Sequence, residues 1–172
     1  VHKLLPRLEA NEKELTDIDL QEKGVNNSDA IALARAMRKN DTVDSLWLRN
    51  NQIGDKGATA LAKVLKQNKT ITMIDARDNN IADEGVTQLA DMLKRNHTIH
   101  SVDLRNNKFG DKGTLKLVKM LKINTALHTV SLCGNRISTK GAEALSRVPE
   151  HKPMLFNLEF MHPELQELLP RL

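Results

Sequence analysis

A single repeated spacing constrains this chain more than any other feature. Apolar residues recur at Leu15, Val43, Ile71, Ile99, Leu127 and Leu155, each 28 residues after the last. Three residues later a second series runs Ile18, Leu46, Ile74, Val102, Val130 and Leu158, and two further on a third runs Leu20, Leu48, Ala76, Leu104, Leu132 and Phe160. The local pattern is therefore LxxLxL. It continues through Asn51, Asn79, Asn107 and Asn135, then Val25, Ile53, Ile81, Phe109 and Ile137, then Gly57, Gly85, Gly113 and Gly141. A period of this size means that each unit is one small supersecondary element, which buries its apolar face only by stacking on its neighbours.

Within LxxLxL the last two apolar positions alternate with polar ones, the signature of a short half-buried strand. In the run GATALAKVLKQN, Leu61, Val64 and Leu65 fall at helical spacing while Lys63, Lys66 and Gln67 face outward, so each strand is followed by a helix. The glycine at the helix start suits a close approach of backbone to backbone. Asn40, Asn68, Asn96 and Asn124 are expected to close the helices in the left-handed conformation that Asn tolerates. The pattern departs from itself at the ends, where a solenoid needs caps. Lys23 and Asp29 stand in the first unit where Asn and Gly recur, and Pro149 stands in the fifth where Leu65, Leu93 and Leu121 recur. A helical cover over Leu4 to Asn11 and a short helix over Pro163 to Leu169, opened by its proline, are expected to be those caps. Ala76, on a series filled by Leu48 and Leu104 on either side, is expected to leave a gap or an altered packing.

These strand-helix units resemble leucine-rich repeats, whose signature is LxxLxLxxN/CxL. The runs LWLRNNQIGDKGATALAKVL, IDARDNNIADEGVTQLADML and VDLRNNKFGDKGTLKLVKML are similar to the ribonuclease-inhibitor-like subclass, in which each repeat carries a full α-helix. The resemblance covers residues 15–160. It implies an α/β fold, a right-handed solenoid bent into a short horseshoe arc, with a six-stranded parallel sheet on the concave side and helices on the convex side. It further implies one domain over residues 1–172: an N-terminal cap at 1–14, five repeats over 15–154, and a final strand with a cap helix over 155–172. The run LPRLEANEKELTDIDL, followed by AIALARAMRKNDTVDSLWL, resembles the leading helix and first repeat of the tropomodulin and leiomodin C-terminal domain, which implies binding at actin filament pointed ends. The regular NNxIGDxG units that follow are also similar to Ran GTPase-activating proteins and to the sensor domains of NOD-like receptors. These imply, as alternatives, a regulator of a small GTPase or a sensor-type repeat domain.

Catalytic and cofactor chemistry finds no support in the pattern. The phosphate-cradling GxxxxGK[ST], the GxSxG elbow and the HExxH helix are missing, so neither an enzyme nor a cofactor is expected. His100 and His128 share one repeat position on consecutive strands, but the matched positions beside them are Thr72 and Phe156, so the pair lacks the further ligands a metal requires. Cys133 is the one cysteine, and the opening run VHKLLPRLEANEKEL is too charged for a signal-peptide core, so a cytoplasmic chain with no membrane contact is expected. A net charge of +4 from 26 basic and 22 acidic residues, with 2% aromatics, disfavours nucleic-acid binding. Asn26, Asn40, Asn68 and Asn96 each open an N-x-Ser/Thr sequence, but three of them are one period apart and are read as structural. Convex lysines such as Lys63, Lys66, Lys116, Lys119 and Lys122 are read as solvated helix faces.

Strand alternation assigns the side chains of the concave face. Its middle rung reads Asp19, Trp47, Asp75, Asp103, Ser131 and Glu159; the next reads Gln21, Arg49, Arg77, Arg105, Cys133 and Met161; the preceding one reads Asp17, Ser45, Met73, Ser101, Thr129 and Asn157. Trp and Arg are enriched at binding hot spots and Met adds adaptable apolar surface. The candidate partner-binding set is therefore Trp47, Arg49, Met73, Asp75, Arg77, Asp103 and Arg105, with Trp47 exposed in the hollow and Asp75 and Asp103 steadying the guanidinium groups. The competing reading is that the acids and arginines neutralise one another across strands. The expected function is a monomeric, non-catalytic scaffold that holds a protein partner, actin or another cytoskeletal protein, on its concave face. RNA recognition through Arg49, Arg77 and Arg105 is the weaker alternative.

Overall fold

The computed structural model describes residues 1–148. The expected sixth strand, the substitution at Pro149 and the helix over 163–169 lie outside the described residues. The chain opens with a short helix, α1 (Leu5–Glu9), and then alternates β1 (Asp17–Asp19), α2 (Asn27–Ala36), β2 (Ser45–Trp47), α3 (Asp55–Leu65), β3 (Met73–Asp75), α4 (Asp83–Leu93), β4 (Ser101–Asp103), α5 (Asp111–Leu121), β5 (Thr129–Ser131) and α6 (Thr139–Ser146). The strands form one parallel sheet in chain order, and its register aligns the apolar series directly: Ile18, Leu46, Ile74, Val102 and Val130 are consecutive partners. Strands sit ~4.8 Å apart whereas packed helices need ~8–10 Å. A row of strands backed by a row of helices therefore curves with the sheet inside, and the chain is a leucine-rich-repeat solenoid. No described helix is long and apolar enough to cross a membrane.

The core lies between sheet and helices, where Phe109, Ile18, Leu46, Leu48, Ile53, Leu65, Ile71 and Leu93 are fully buried. Leu8 of α1 is buried as well, so the N-terminal helix does cover the first repeat, although it is shorter than the expected span from Leu4 to Asn11. The gap expected at Ala76 is present. A cavity of about 20 Å³ lies between Leu48, Ala76 and Leu104 and the helix residues Leu61, Leu89 and Met92, and its walls are wholly apolar.

Strands of three residues leave much backbone outside the sheet, and side chains satisfy it. Asn79 is buried; its Oδ1 accepts from the Ile53 N–H at 3.0 Å, and its Nδ2 donates to the carbonyls of Leu48 at 2.8 Å and Ala76 at 3.2 Å. It thereby ties its own strand end to the repeat before. Asn51 and Asn107 do the same one repeat away on each side.

The turn asparagines behave otherwise than expected. Asn40 is extended, with φ −75° and ψ 129°, and the left-handed residues that follow the strands of five successive repeats are instead Glu22, Asn50, Asp78, Asn106 and Gly134, with Asn11 after α1 and Gly24 left-handed as well. The asparagines are used for their side chains. Asn96 accepts from the N–H groups of Thr98 and Ile99 and donates to the carbonyls of Leu65 and Asn68; Asn124 repeats the arrangement in full, and Asn68 accepts likewise and donates to the Asn40 carbonyl. Their burial agrees with a structural reading of the N-x-Thr sequences at Asn40, Asn68 and Asn96.

Helix starts are capped from the repeat before. Asp55 Oδ1 accepts from the N–H groups of Ala82 and Gly85, Asp83 Oδ1 from Gly110 and Gly113, and Asn27 Oδ1 from Gly54 and Gly57. A Cβ on Gly85 would lie 2.7 Å from Asp55 Oδ1. The recurring glycine thus makes room for a neighbour's capping side chain, and at Gly85 for the neighbour's backbone too, with Asp55 Cα 3.1 Å from where the Cβ would stand. In the first repeat no such acid arrives, and α2 caps itself: Asn26 accepts from Ser28 and Asp29, and the Asp29 carboxylate accepts from the Asn26 N–H. That is why Asp29 can stand where Gly recurs.

Replacing Asn79 with Ala should orphan the Ile53 N–H inside the protein and leave the Leu48 carbonyl with the Asn51 amide as its remaining donor. At ~1–3 kcal/mol for one buried unpaired group, the loss should be about 2 kcal/mol and the melting temperature should fall by roughly 4–8 °C. An unchanged calorimetric melt would show that the ladder is not needed.

Candidate functional site

Alternation along the strands presents Met73, Trp47, Asp75, Asp103 and the arginines to the hollow, as expected, but their burial is uneven. Trp47 is half-buried rather than exposed, and its indole Nε1–H donates to Asp17 Oδ1 at 3.4 Å, a long contact across to β1. Met73 beside it is half-buried too. Asp75 is buried, with only 5% of its surface exposed. It sits between its strand partners Trp47 and Asp103. Its carboxylate accepts from the Arg77 N–H at 3.2 Å and faces the Arg77 Nε at 3.2 Å. A partner surface would thus meet Arg77 before it met Asp75, which corrects the expectation that Asp75 is itself a contact residue. Cys133, expected on the same rung as the arginines, is buried as well.

Two of the three arginines are held by acids of their own strands. Arg105 grips Asp103 through Nε at 3.0 Å and Nη2 at 2.6 Å, a charge-assisted, two-pronged contact that raises the affinity of the guanidinium for its proton. Arg77 is paired with Asp75 as described. Arg49 instead reaches Asp78, on the loop after β3, at 3.5 Å. The acids therefore steady the guanidinium groups along each strand, as the first expectation had it, and only Arg49 pairs across repeats. Asp78 escaped the sequence reading, although it shares its repeat position with Asn50 and Asn106 and so could have been placed beside the arginine ladder.

Burial sets the electrostatics of the centre. Desolvation pushes the Asp75 carboxyl above the ordinary carboxylate range, and the backbone N–H and guanidinium of Arg77 offset it only in part. At the start of α5 Asp111 shows the opposite balance: the hydroxyl and N–H of Ser138 hold its carboxyl below that range. His100 and His128 do lie together, with ring centroids 5.1 Å apart, and His100 Nδ1 is 3.0 Å from the Ala126 carbonyl oxygen. Among the described residues no group of three or more His, Cys, Asp or Glu side chains is placed to hold a metal ion.

A family model described as the TMOD/LMOD leucine-rich domain matches residues 1–108, and a second described as a leucine-rich repeat matches residues 124–146. Among solved structures, one titled Leiomodin-1 Actin-Binding Site 2 (ABS2) superposes with a TM-score of 0.70 at 24% identity, over 85% of this chain and 85% of that one. The tropomodulin C-terminal domain of Caenorhabditis elegans superposes with a TM-score of 0.69 at 18% identity, over 87% of this chain and 93% of that one. At such identities these likenesses speak for the fold. No curated protein sequence matches the chain.

The raised value at Asp75 has a definite sign in stability. A carboxyl whose folded value lies above its unfolded one contributes stability that is complete in acid and is lost as pH rises through the folded value. Asp75→Asn keeps the acceptor for the Arg77 N–H and removes the charge. The melting temperature of the variant relative to the parent should therefore be more favourable at about pH 7 than at about pH 3. A difference constant across that range would mean that ionisation of Asp75 is not linked to folding.

Proposed function

The chain belongs to the TMOD/LMOD leucine-rich domain family, and from that premise we propose that it is a non-catalytic protein-interaction module that binds actin through the hollow of its sheet. The family match carries the proposal. Every candidate contact residue lies within the matched residues 1–108, and the superposable structure whose title names an actin-binding site aligns with most of the chain. The match supports actin as the partner and a cytoskeletal, cytoplasmic setting for the module.

Recognition would run through Trp47 and the three arginines. The half-buried indole offers a rigid apolar anchor that loses little freedom on binding, and burying it against a partner is worth ~2–4 kcal/mol. Arg49, Arg77 and Arg105 stand one repeat apart on a single rung, and the acids that hold them limit their rotamers before the partner arrives. Each guanidinium keeps donors free of its carboxylate for an acidic partner surface. Met73, half-buried beside Trp47, would fill the apolar contact around it.

Arg77 is unsuited to charge reversal, because Arg77→Glu would set a second carboxylate against the buried Asp75. Arg49, whose side chain is 42% exposed and whose contact with Asp78 is loose, is the better probe. In co-sedimentation with actin filaments, and in pointed-end capping assays, Trp47→Ala and Arg49→Glu should each weaken binding at least tenfold. Lys119→Glu on the convex side should bind as the parent does. Undiminished binding by both hollow variants would remove the concave face from the interaction.

A further inference from the structure

The convex side carries a groove that the actin reading does not use. It lies between α2 and α3, encloses about 880 Å³, and is walled by Arg35, Arg38, Lys39, Lys56, Lys63 and Lys69, with Asp41 the one carboxylate among its lining residues. All six cations are exposed. Each lacks an ion pair within the described residues, whereas every arginine of the hollow has one. The Asp41 carboxylate accepts from the Asn11 side chain. The floor is apolar, built from Ile31, Ala34, Ala60 and Val64.

Neither the charge nor the opening is required by the repeat. On α4 the positions matching Lys56 and Lys63 are Glu84 and Asp91, so the same fold accepts acids there. The position matching Ala60 is filled by Gln88 on α4 and by Lys116 on α5. A short side chain on α3 leaves the furrow open, and the two helices that border it carry cations on both walls.

We infer that this groove is a docking site for an acidic amphipathic helix of a protein partner. A third helix laid along α2 and α3 would seat small or branched apolar residues on the floor and set its carboxylates against cations on either wall, the helix-in-groove mode of recognition. The eleven residues of α3 span ~16 Å, so the groove takes about three turns of such a helix. A concave, apolar-floored furrow fits this occupant better than a flat lipid surface. The lining holds no aromatic side chain for stacking a nucleobase. Unpaired cations in a furrow also speed the encounter with an acidic segment and make it sensitive to salt.

The whole chain can be tested by fluorescence anisotropy against a labelled fourteen-residue probe peptide, with leucines at helical i, i+3, i+4 and i+7 spacing and glutamates elsewhere. The parent should bind it. The double variant Lys56→Glu and Lys63→Glu should bind at least tenfold more weakly, and Ala60→Gln, which narrows the floor with the residue that α4 tolerates, should weaken binding without a change of charge. A probe with lysines in place of the glutamates should not bind, and Trp47→Ala should bind the acidic probe as the parent does, which separates this site from the hollow. Melting temperatures close to that of the parent would confirm that the variants fold; where the double variant does not, Ala60→Gln alone decides. Equal binding by the parent and Ala60→Gln would overturn the inference. So would a chain that ignores the peptide but partitions onto vesicles containing phosphatidylserine, since that would assign the basic walls to a membrane surface.

Discussion

A side-chain amide that reaches backbone groups on two successive repeats is the interaction on which this solenoid depends. Strands of three residues leave the turns around them to run between layers, where backbone groups are out of reach of water and must find partners. Asn51, Asn79 and Asn107 supply them at the strand ends, and Asn68, Asn96 and Asn124 supply them at the helix-to-strand turns. Because each amide spans two repeats, it also sets their separation and register. The rungs of the hollow are straight for this reason, and their straightness stands the three arginines in line.

Much of this was legible in the residues. The apolar series fixed which side chains would be paired, and Ile18 through Val130 are paired in that order. Ala76 was readable as a gap because a small residue among leucines removes volume that a neighbour cannot fill. Periodicity names the residue types that recur, however, and not the atoms they meet. Asparagine after a helix suggests left-handed backbone when only the local chain is considered, yet Asn40 is extended because its side chain serves the following turn. Asp75 and Asp103 occupy equivalent positions, and one is buried while the other is half-exposed, since burial depends on the bulk of the neighbours on adjacent strands. The helix lysines looked alike as solvated faces because amphipathic periodicity separates inside from outside only; their difference appears when Lys56 and Lys63 are set beside Glu84 and Asp91 one repeat later.

The modest net charge of +4 conceals an uneven distribution. In the hollow each guanidinium has a carboxylate, so the concave field is short-ranged and its recognition is one of fit and of placed donors. On the first two convex helices the cations stand without partners, and their field extends into solvent to about a Debye length. Salt should therefore affect the two faces differently: little at the hollow, strongly at the groove.

The borrowed helix caps give the solenoid a polarity. Acids at the start of one helix serve the N–H groups at the start of the next, while the strand-end amides serve the repeat before. Every internal repeat is thus completed by two different neighbours in two different ways, and no internal repeat is a self-sufficient module. Repeats cannot be shuffled freely: an internal unit moved to the front would start its helix on glycine or alanine, with no acid upstream to cap it, whereas the natural first unit carries Asn26 and Asp29 for that purpose. The order of the units is in this sense written into their hydrogen bonds, and a lengthened arc would have to be made by inserting units behind the first.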